Sequence, residues 1–309
     1  MKIIFLLGLP RSGTTLLQKC ISTSNSVFSK GESWLLLPLF NLDKRDFIIS
    51  GYSHSDASLG IKEHIQELDF DYNILLKKFV YEFYSNIAID EKYFLDKTPR
   101  YHIILDDLYG NYSDSLFILL YRNPLAICSS IINTWGKGRL NRLYFCWTDI
   151  IDGPKNLIKE SENSKFILCY EDLIRNPEKE LKKISLFLNI DDIDISKLKS
   201  SSSILGDKGR FSSYDYIQKR EYDDGWKKSI NSKFRKILAL KYLRIIPDLY
   251  LEKCNLNKDF LENEINSIRT YKIGVLDILD FVYSFFMVKS NIHSVFRIVK
   301  FGKTNKYWS

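Results

Sequence analysis

A short apolar run that ends at a glycine-bearing loop constrains this chain more than any other feature. Ile3–Leu7 is continuous and uncharged, and Gly8-Leu9-Pro10-Arg11-Ser12-Gly13-Thr14-Thr15 follows at once. Leu16, Leu17, Cys20 and Ile21 then recur at helical spacing. This order predicts a buried parallel strand, a tight loop and a helix. The loop has the GxxxxG outline followed by hydroxyl residues. In such a loop the glycines let backbone N–H groups turn inward around an anion, and the helix N-terminus adds a favourable dipole. A phosphate-binding turn is the expectation. Thr14 stands where a nucleotide-hydrolysing loop carries lysine, and the positive charge lies inside the loop at Arg11. That weakens a kinase or NTPase using ATP and magnesium, which stays as the alternative. It favours a ligand that needs a cation at a bridging oxygen and no metal.

The rest of the chain continues the alternation. Tyr72–Ile89 reads as an amphipathic helix with Leu75, Leu76, Phe79, Val80 and Phe83 on one face, and the polar stretch Asn41–Gly60 before it reads as a loop. Short strands are expected at Tyr93–Leu95, Leu116–Leu120 and Phe166–Cys169. Asn123-Pro124 and Asn176-Pro177 each open a helix, with proline at the first helical position. Strands alternating with helices predict an α/β fold: a P-loop-like parallel sheet of about four to five strands, flanked by helices. A polar connection, Ser200–Ser203 with Gly206–Gly209, precedes a mostly helical C-terminal extension. The expected division is a main domain over 1–235 and a helical region over 236–309, packed on it.

Composition narrows the partners. The 309 residues carry a net charge of +7, which suits an anionic ligand or surface, and no dense Lys/Arg run marks a nucleic-acid arm. The five cysteines are scattered, with no CxxC and no Cys/His cluster, so neither a zinc site nor a disulfide framework is expected. Ile3–Leu7 is too short for a signal h-region. The expectation is a cytoplasmic protein.

Pro10-Arg11-Ser12-Gly13-Thr14-Thr15 resembles the 5′-phosphosulfate loop of PAPS-dependent sulfotransferases (PAPS is 3′-phosphoadenosine 5′-phosphosulfate). The second motif of that family is an arginine at a strand end and a serine eight residues on, and Arg122 and Ser130 stand at that spacing. Arg122 would leave the strand edge and Ser130 would lie on the second turn of the following helix, so both can reach one phosphate. Further stretches resemble the bacterial carbohydrate and tyrosylprotein branch. Glu32 lies 21 residues after Arg11, and Lys97 lies 25 residues before Arg122. Tyr170-Glu171-Asp172-Leu173 before Asn176-Pro177 resembles the family's adenine-side stretch, and Leu205–Arg210 with Trp226 resembles a donor-covering loop. The resemblance covers roughly residues 1–230.

The resemblance implies a set of roles. Glu32 would be the general base on the acceptor. Arg11 and Lys97 would stabilise the bridging and sulfuryl oxygens. Backbone N–H groups from Ser12, Gly13, Thr14 and Thr15 would hold the 5′-phosphate, with Arg122, Ser130, Tyr170, Lys208 and Arg210 completing the PAPS site. No metal is implied. The acceptor would be a hydroxyl, first of all a sugar of a surface polysaccharide or glycolipid precursor in a chain of bacterial style, with a tyrosine or peptide as the alternative. Ile273–Phe301 has an apolar helical stripe, followed by Arg297, Lys300, Lys303 and Lys306. Two readings stay open for it. It packs on the main domain or a second copy, or it lies on an anionic membrane, which places the protein at the inner membrane face.

Overall fold

The computed structural model describes residues 1–44, 53–159, 165–191, 193–194, 196 and 225–289. Strands β1 (Lys2–Gly8), β2 (Val27–Phe28), β3 (Tyr93–Asp96), β4 (Leu116–Tyr121) and β5 (Lys165–Cys169) form one sheet in the order β2-β3-β1-β4-β5. Every pairing is parallel, with Ile4 opposite Leu95 on one side and opposite Leu116 on the other. The five-stranded parallel sheet agrees with the expectation. The two-residue β2 has no apolar run long enough to be seen in sequence.

Alternate residues of the strands feed two cores. Ile3, Phe5 and Leu7 pack with Phe117 and Leu119 on one face. Ile4 and Leu6 pack with Leu17, Ile118 and Leu120 on the other. Burial on both faces is why these strands read as unbroken apolar runs. The chain moves from β1 to one side for β2 and β3, then crosses β1 to reach β4. The C-terminal ends of β1 and β4 therefore flank the point where the winding reverses, the usual binding crevice of such sheets.

Helix α1 (Thr14–Ile21) follows β1, and α2 (Leu36–Leu39) lies beyond β2. Two expectations about the next segment need correction. The stretch expected to be a loop contains the start of α3 (His54–Gln66), capped by Ser53, whose side chain accepts from the Asp56 N–H. Helix α4 (Tyr72–Ser85) buries Leu76, Val80 and Tyr84 and leaves Leu75, Phe79 and Phe83 exposed. Tyr84 sets this rotation: its ring stacks on Phe94 at 3.8 Å, and its hydroxyl donates to Asp96 Oδ2 at 2.6 Å.

Helix α5 (Leu105–Asn111) leads to β4, and α6 (Pro124–Thr134) leaves it. Asn123 caps α6 by accepting from the Leu125 N–H at 2.9 Å. After α7 (Trp147–Ile151), α8 (Gly153–Leu157), β5, α9 (Tyr170–Arg175) and α10 (Pro177–Leu188), the described chain resumes at α11 (Gly225–Ser229). Helices α12 (Lys233–Ile245), α13 (Asp248–Lys253) and α14 (Lys258–Ser267) place Leu243, Tyr250, Leu251, Leu261 and Ile265 in the same core as Phe5. Helix α15 (Val275–Lys289) closes the described region.

Candidate active site

The phosphate loop is a cradle shaped by two residues in the left-handed region, Arg11 at φ 71° and Gly13 at φ 103°. Gly13 is the N-cap of α1 and offers no capping side chain, and the first turn carries no acidic residue. The N–H groups of Thr14 and Thr15 thus begin a helix without intrahelical acceptors, and the positive end of α1 faces the cradle. Ser12 Oγ is buried in the loop without a hydrogen-bond partner. An open helix N-terminus and an orphaned buried hydroxyl fit a bound anion.

Arg122, at the end of β4, ties this loop to the second motif. Its Nη1 donates to the Arg11 carbonyl at 2.7 Å, and its guanidinium lies over the Tyr170 ring at 4.3 Å. Tyr170 also packs on the loop: a Cβ built at Gly13 would come within 2.4 Å of its ring. Arg11 Nε donates to Ser130 Oγ at 3.2 Å and Nη2 to Thr134 Oγ1 at 3.5 Å, both on α6. The structure therefore brings Arg11, Ser12, Gly13, Arg122, Ser130 and Tyr170 together at the ends of β1 and β4. Tyr170 is buried in the core, wedged between Gly13 and Arg122. Lys208 and Arg210 lie outside the described residues. Trp226 is described, and it is buried in the core with Ile127 and Ile131.

Glu32 and Lys97 meet at the other side of the loop. Lys97 follows β3, is 1 % exposed, and donates to Glu32 Oε1 at 2.8 Å and to Thr15 Oγ1 at 3.4 Å. Trp34 Nε1 donates to the second oxygen, Glu32 Oε2, at 3.0 Å. Gln18 on α1 fixes the segment before Glu32, with Nε2 at 2.8 Å from Ser29 Oγ and 2.7 Å from the Gly31 carbonyl. The glutamate side chain remains about one-fifth exposed, so it borders both the loop and solvent.

Sequence reasoning missed the groups beneath this pair. Asp96 is fully buried and accepts from Tyr84, from Tyr101 at 2.8 Å and from Ser33 at 2.7 Å. Burial pushes its carboxyl above the usual range, against the hydrogen bonds of those three hydroxyls and the charge of Lys97. Arg100 Nε and His102 Nε2 meet Asp149 at 3.1 and 3.0 Å. There burial again disfavours the charge, but the bond from His102 and the charge of Arg100 win, and Asp149 sits below the usual range. Arg100 in turn lies 5.7 Å from the Trp34 ring, behind the residue that holds Glu32. Glu171 accepts from the Asn123 N–H at 3.1 Å, steadying the start of α6. The run Asp96-Lys97-Thr98-Pro99-Arg100 was the available signal: two basic residues and an acid at a strand end need partners wherever they are buried.

The Sulfotransferase family model matches residues 4–194. The chain belongs to the sulfotransferase family. It is 27 % identical over 215 residues to Nodulation protein NoeE of Sinorhizobium fredii (strain NBRC 101917 / NGR234), covering 61 % of this chain and 50 % of that one. It is 24 % identical over 195 residues to a putative protein-tyrosine sulfotransferase of Caenorhabditis briggsae, covering 61 % and 66 %. The chain thus spans half of the first of these curated relatives and about two thirds of the second. Among solved structures it is similar to the sulfotransferase domain of the Synechococcus PCC 7002 olefin synthase, with 20 % identity, a TM-score of 0.47, and 79 % of this chain and 92 % of that one covered. The family match runs from β1 to the segment after α10, so Arg11, Glu32, Lys97, Arg122, Ser130 and Tyr170 fall inside it, and Trp226 lies beyond it. Among the described residues, no group of three or more His, Cys, Asp or Glu side chains is placed to hold a metal ion.

Proposed function

We propose that this protein moves the sulfuryl group of PAPS to an acceptor hydroxyl, with Glu32 as the base. The observation that carries the reading is the double contact of Lys97, whose ammonium touches both Glu32 and the phosphate loop at Thr15. It supports the reading because a carboxylate and a fixed cation lie within two hydrogen-bond lengths of the cradle. The donor supplies an electrophilic sulfur, whose bond to the 5′-phosphate oxygen breaks as the acceptor oxygen attacks. The N–H groups from Ser12 to Thr15 hold the 5′-phosphate, and Arg11 stands on its α6 side. Arg122 and Ser130 receive the 3′-phosphate, with Tyr170 holding Arg122 flat. Glu32 takes the proton of the attacking hydroxyl. A carboxylate offers about four lone-pair sites, so the bonds from Lys97 and Trp34 leave room for that proton. Once protonated, Glu32 loosens its hold on Lys97, and the ammonium is free to face the charge growing on the leaving oxygen. This is positioning and electrostatic catalysis of the kind phosphoryl transfer also uses.

The acceptor we favour is a sugar hydroxyl, as the resemblance to the bacterial carbohydrate branch implies. The putative protein-tyrosine sulfotransferase relative keeps a tyrosine acceptor as the second reading. Thermal shift tests the donor: 3′-phosphoadenosine 5′-phosphate should raise the melting temperature without magnesium, and ATP should do less. Stabilisation by ATP with magnesium alone would replace this reading with a kinase or NTPase. Labelled PAPS with sugar, glycolipid and tyrosyl-peptide acceptors then identifies the hydroxyl.

A further inference from the structure

Helix α15 is built the wrong way round for a helix that only packs on its own domain. Its inward side sets three polar residues, Asp277, Asp280 and Ser284, beside Phe281 and Met287. Asp277 accepts from Arg235 Nε at 2.8 Å, Arg235 Nη2 at 2.6 Å and Ser232 Oγ at 2.7 Å. Asp280 accepts from Arg139 Nε at 3.1 Å and Nη2 at 2.7 Å, and Ser284 Oγ donates to the Leu140 carbonyl at 2.9 Å. Its outward side is carbon: Leu276, Leu279 and Phe286 are 60–67 % exposed, with Val282 and Tyr283 between them. Rotating the helix to bury that stripe would strip the buried Arg235 and Asp277 of each other, which proteins avoid. The exposed apolar face is therefore fixed by the polar one, and a contiguous patch of this kind marks an interaction surface.

The charges around the patch choose the partner. From Arg269 to Lys289 every exposed residue is apolar, aromatic or basic, with Arg269, Lys272 and Lys289 at the ends. Both acids of α15 are turned inward. The twenty residues that follow add Arg297, Lys300, Lys303 and Lys306, and no acid. No described helix is long and apolar enough to cross a membrane. An apolar face rimmed by cations matches an anionic bilayer surface, into which such a helix sinks by about 5–10 Å.

We propose that α15 docks this protein on anionic membranes, lying in the plane of the interface. Arg139 and Leu140, to which the helix is bound, follow Trp135, whose ring lies 5.9 Å from Arg11. The docked face and the phosphate loop thus share one short segment, as suits an acceptor carried on a lipid. The docking itself does not rest on the sulfuryl-transfer reading.

Vesicle flotation of the full chain tests it, using phosphatidylcholine alone and phosphatidylcholine with 30 % phosphatidylglycerol at about 0.1 M salt. Recovery with the anionic vesicles should exceed that with neutral ones at least tenfold, and should fall as salt rises. The variant Leu279→Glu with Phe286→Glu should lose recovery at least tenfold while its melting temperature stays within a few degrees. Both side chains are exposed, so folding does not depend on them. A second pair, Lys272→Glu with Lys289→Glu, should weaken binding in the same direction. Equal recovery from both vesicle types, absence from both, or undiminished binding by the Leu279/Phe286 variant would overturn the proposal. So would self-association of the wild type that this variant abolishes, because a second copy would then own the face. Donor binding is read separately by thermal shift, so either proposal can fail alone.

Discussion

Lys97 Nζ lies 2.8 Å from Glu32 Oε1 and 3.4 Å from Thr15 Oγ1, so one buried ammonium joins the candidate base to the phosphate loop. The nucleotide-hydrolysing loop pattern has lysine at the position of Thr14. Here a lysine comes to the loop from the end of the adjacent strand, β3, and it arrives already paired with a carboxylate.

That pairing separates binding from turnover. Glu32→Gln keeps one acceptor oxygen, for Lys97, turns its NH2 towards Trp34 Nε1, and takes no proton, so kcat should fall by about 10²–10³-fold. The affinity for 3′-phosphoadenosine 5′-phosphate should stay within about threefold, since the proposed role of Glu32 is towards the acceptor and not the donor. Lys97→Met should lower kcat by a similar factor. Radiolabel transfer gives the rates and calorimetry the affinities. A Glu32→Gln enzyme with the wild-type rate on a verified acceptor removes the base assignment.

Arg122 acts through its plane as well as its charge. Its Nη1 bonds the Arg11 carbonyl while its flat face covers Tyr170. Lysine can supply the charge but neither the fork nor the stack. Arg122→Lys should therefore weaken binding of 3′-phosphoadenosine 5′-phosphate nearly as much as Arg122→Ala, by roughly tenfold or more, equivalent to about 1.4 kcal/mol. Full affinity in the lysine variant would show that only the charge matters.

Much of this frame was legible in the sequence, for a physical reason. β1, β3 and β4 are paired on both sides and buried on both faces, and the edge strand β5 is apolar over Phe166–Cys169, so all four read as short apolar runs between helices. The loop and the Arg122–Ser130 spacing are local patterns, and both ends of each pattern lie on one strand–helix unit. Long-range partners were not legible. Asp149 meets Arg100 and His102 across nearly fifty residues, and Tyr84 reaches Asp96 from another element. The rotation of α4 followed from that tyrosine hydroxyl and not from its apolar count, which favoured Phe83. The direction in which α15 faces was likewise hidden: its apolar stripe left packing and a membrane surface both open, and the partners of Asp277 and Asp280 lie more than forty residues away in the chain.

Gly13 offers a test of the cradle itself. At φ 103° an added side chain is strained, and a Cβ there would lie 2.4 Å from the Tyr170 ring. Gly13→Ala should cost more than the ~1 kcal/mol of a simple left-handed position, because the ring must also move. Displacing Tyr170 releases Arg122, so affinity for 3′-phosphoadenosine 5′-phosphate should fall with stability. Adding Tyr170→Ala should remove the clash but not restore binding. Urea melts and calorimetry on the single and double variants decide it. Restored affinity in the double variant would mean that Tyr170 does nothing beyond occupying space.

The pH dependence of stability isolates Asp149. Burial disfavours its charge, but the hydrogen bond from His102 and the charge of Arg100 prevail and hold its pKa below the ordinary value of 3.8. The folded state thus binds this proton less readily than the unfolded chain does. The stability it contributes is complete above the unfolded value and is lost as pH falls through the depressed folded one. Asp96 acts in the opposite sense, since its raised value makes the folded state the tighter proton binder and costs stability as pH rises above 3.8. Comparing wild type with Asp149→Asn cancels the Asp96 contribution, which both share. At pH 7 the variant should be less stable by about 3 kcal/mol, because Arg100 and His102 keep a buried neighbour but lose its charge. The gap should narrow below about pH 4, as the unfolded wild-type carboxyl takes up its proton and then, at lower pH, the folded one does. Urea midpoints between pH 7 and pH 3 measure this, and a gap constant over that range rules out the proposed linkage. The same variant should lower kcat modestly, through Arg100 and Trp34, while leaving the affinity for 3′-phosphoadenosine 5′-phosphate unchanged. Arg100 stands behind Trp34 and Glu32 and has no described contact with the phosphate loop.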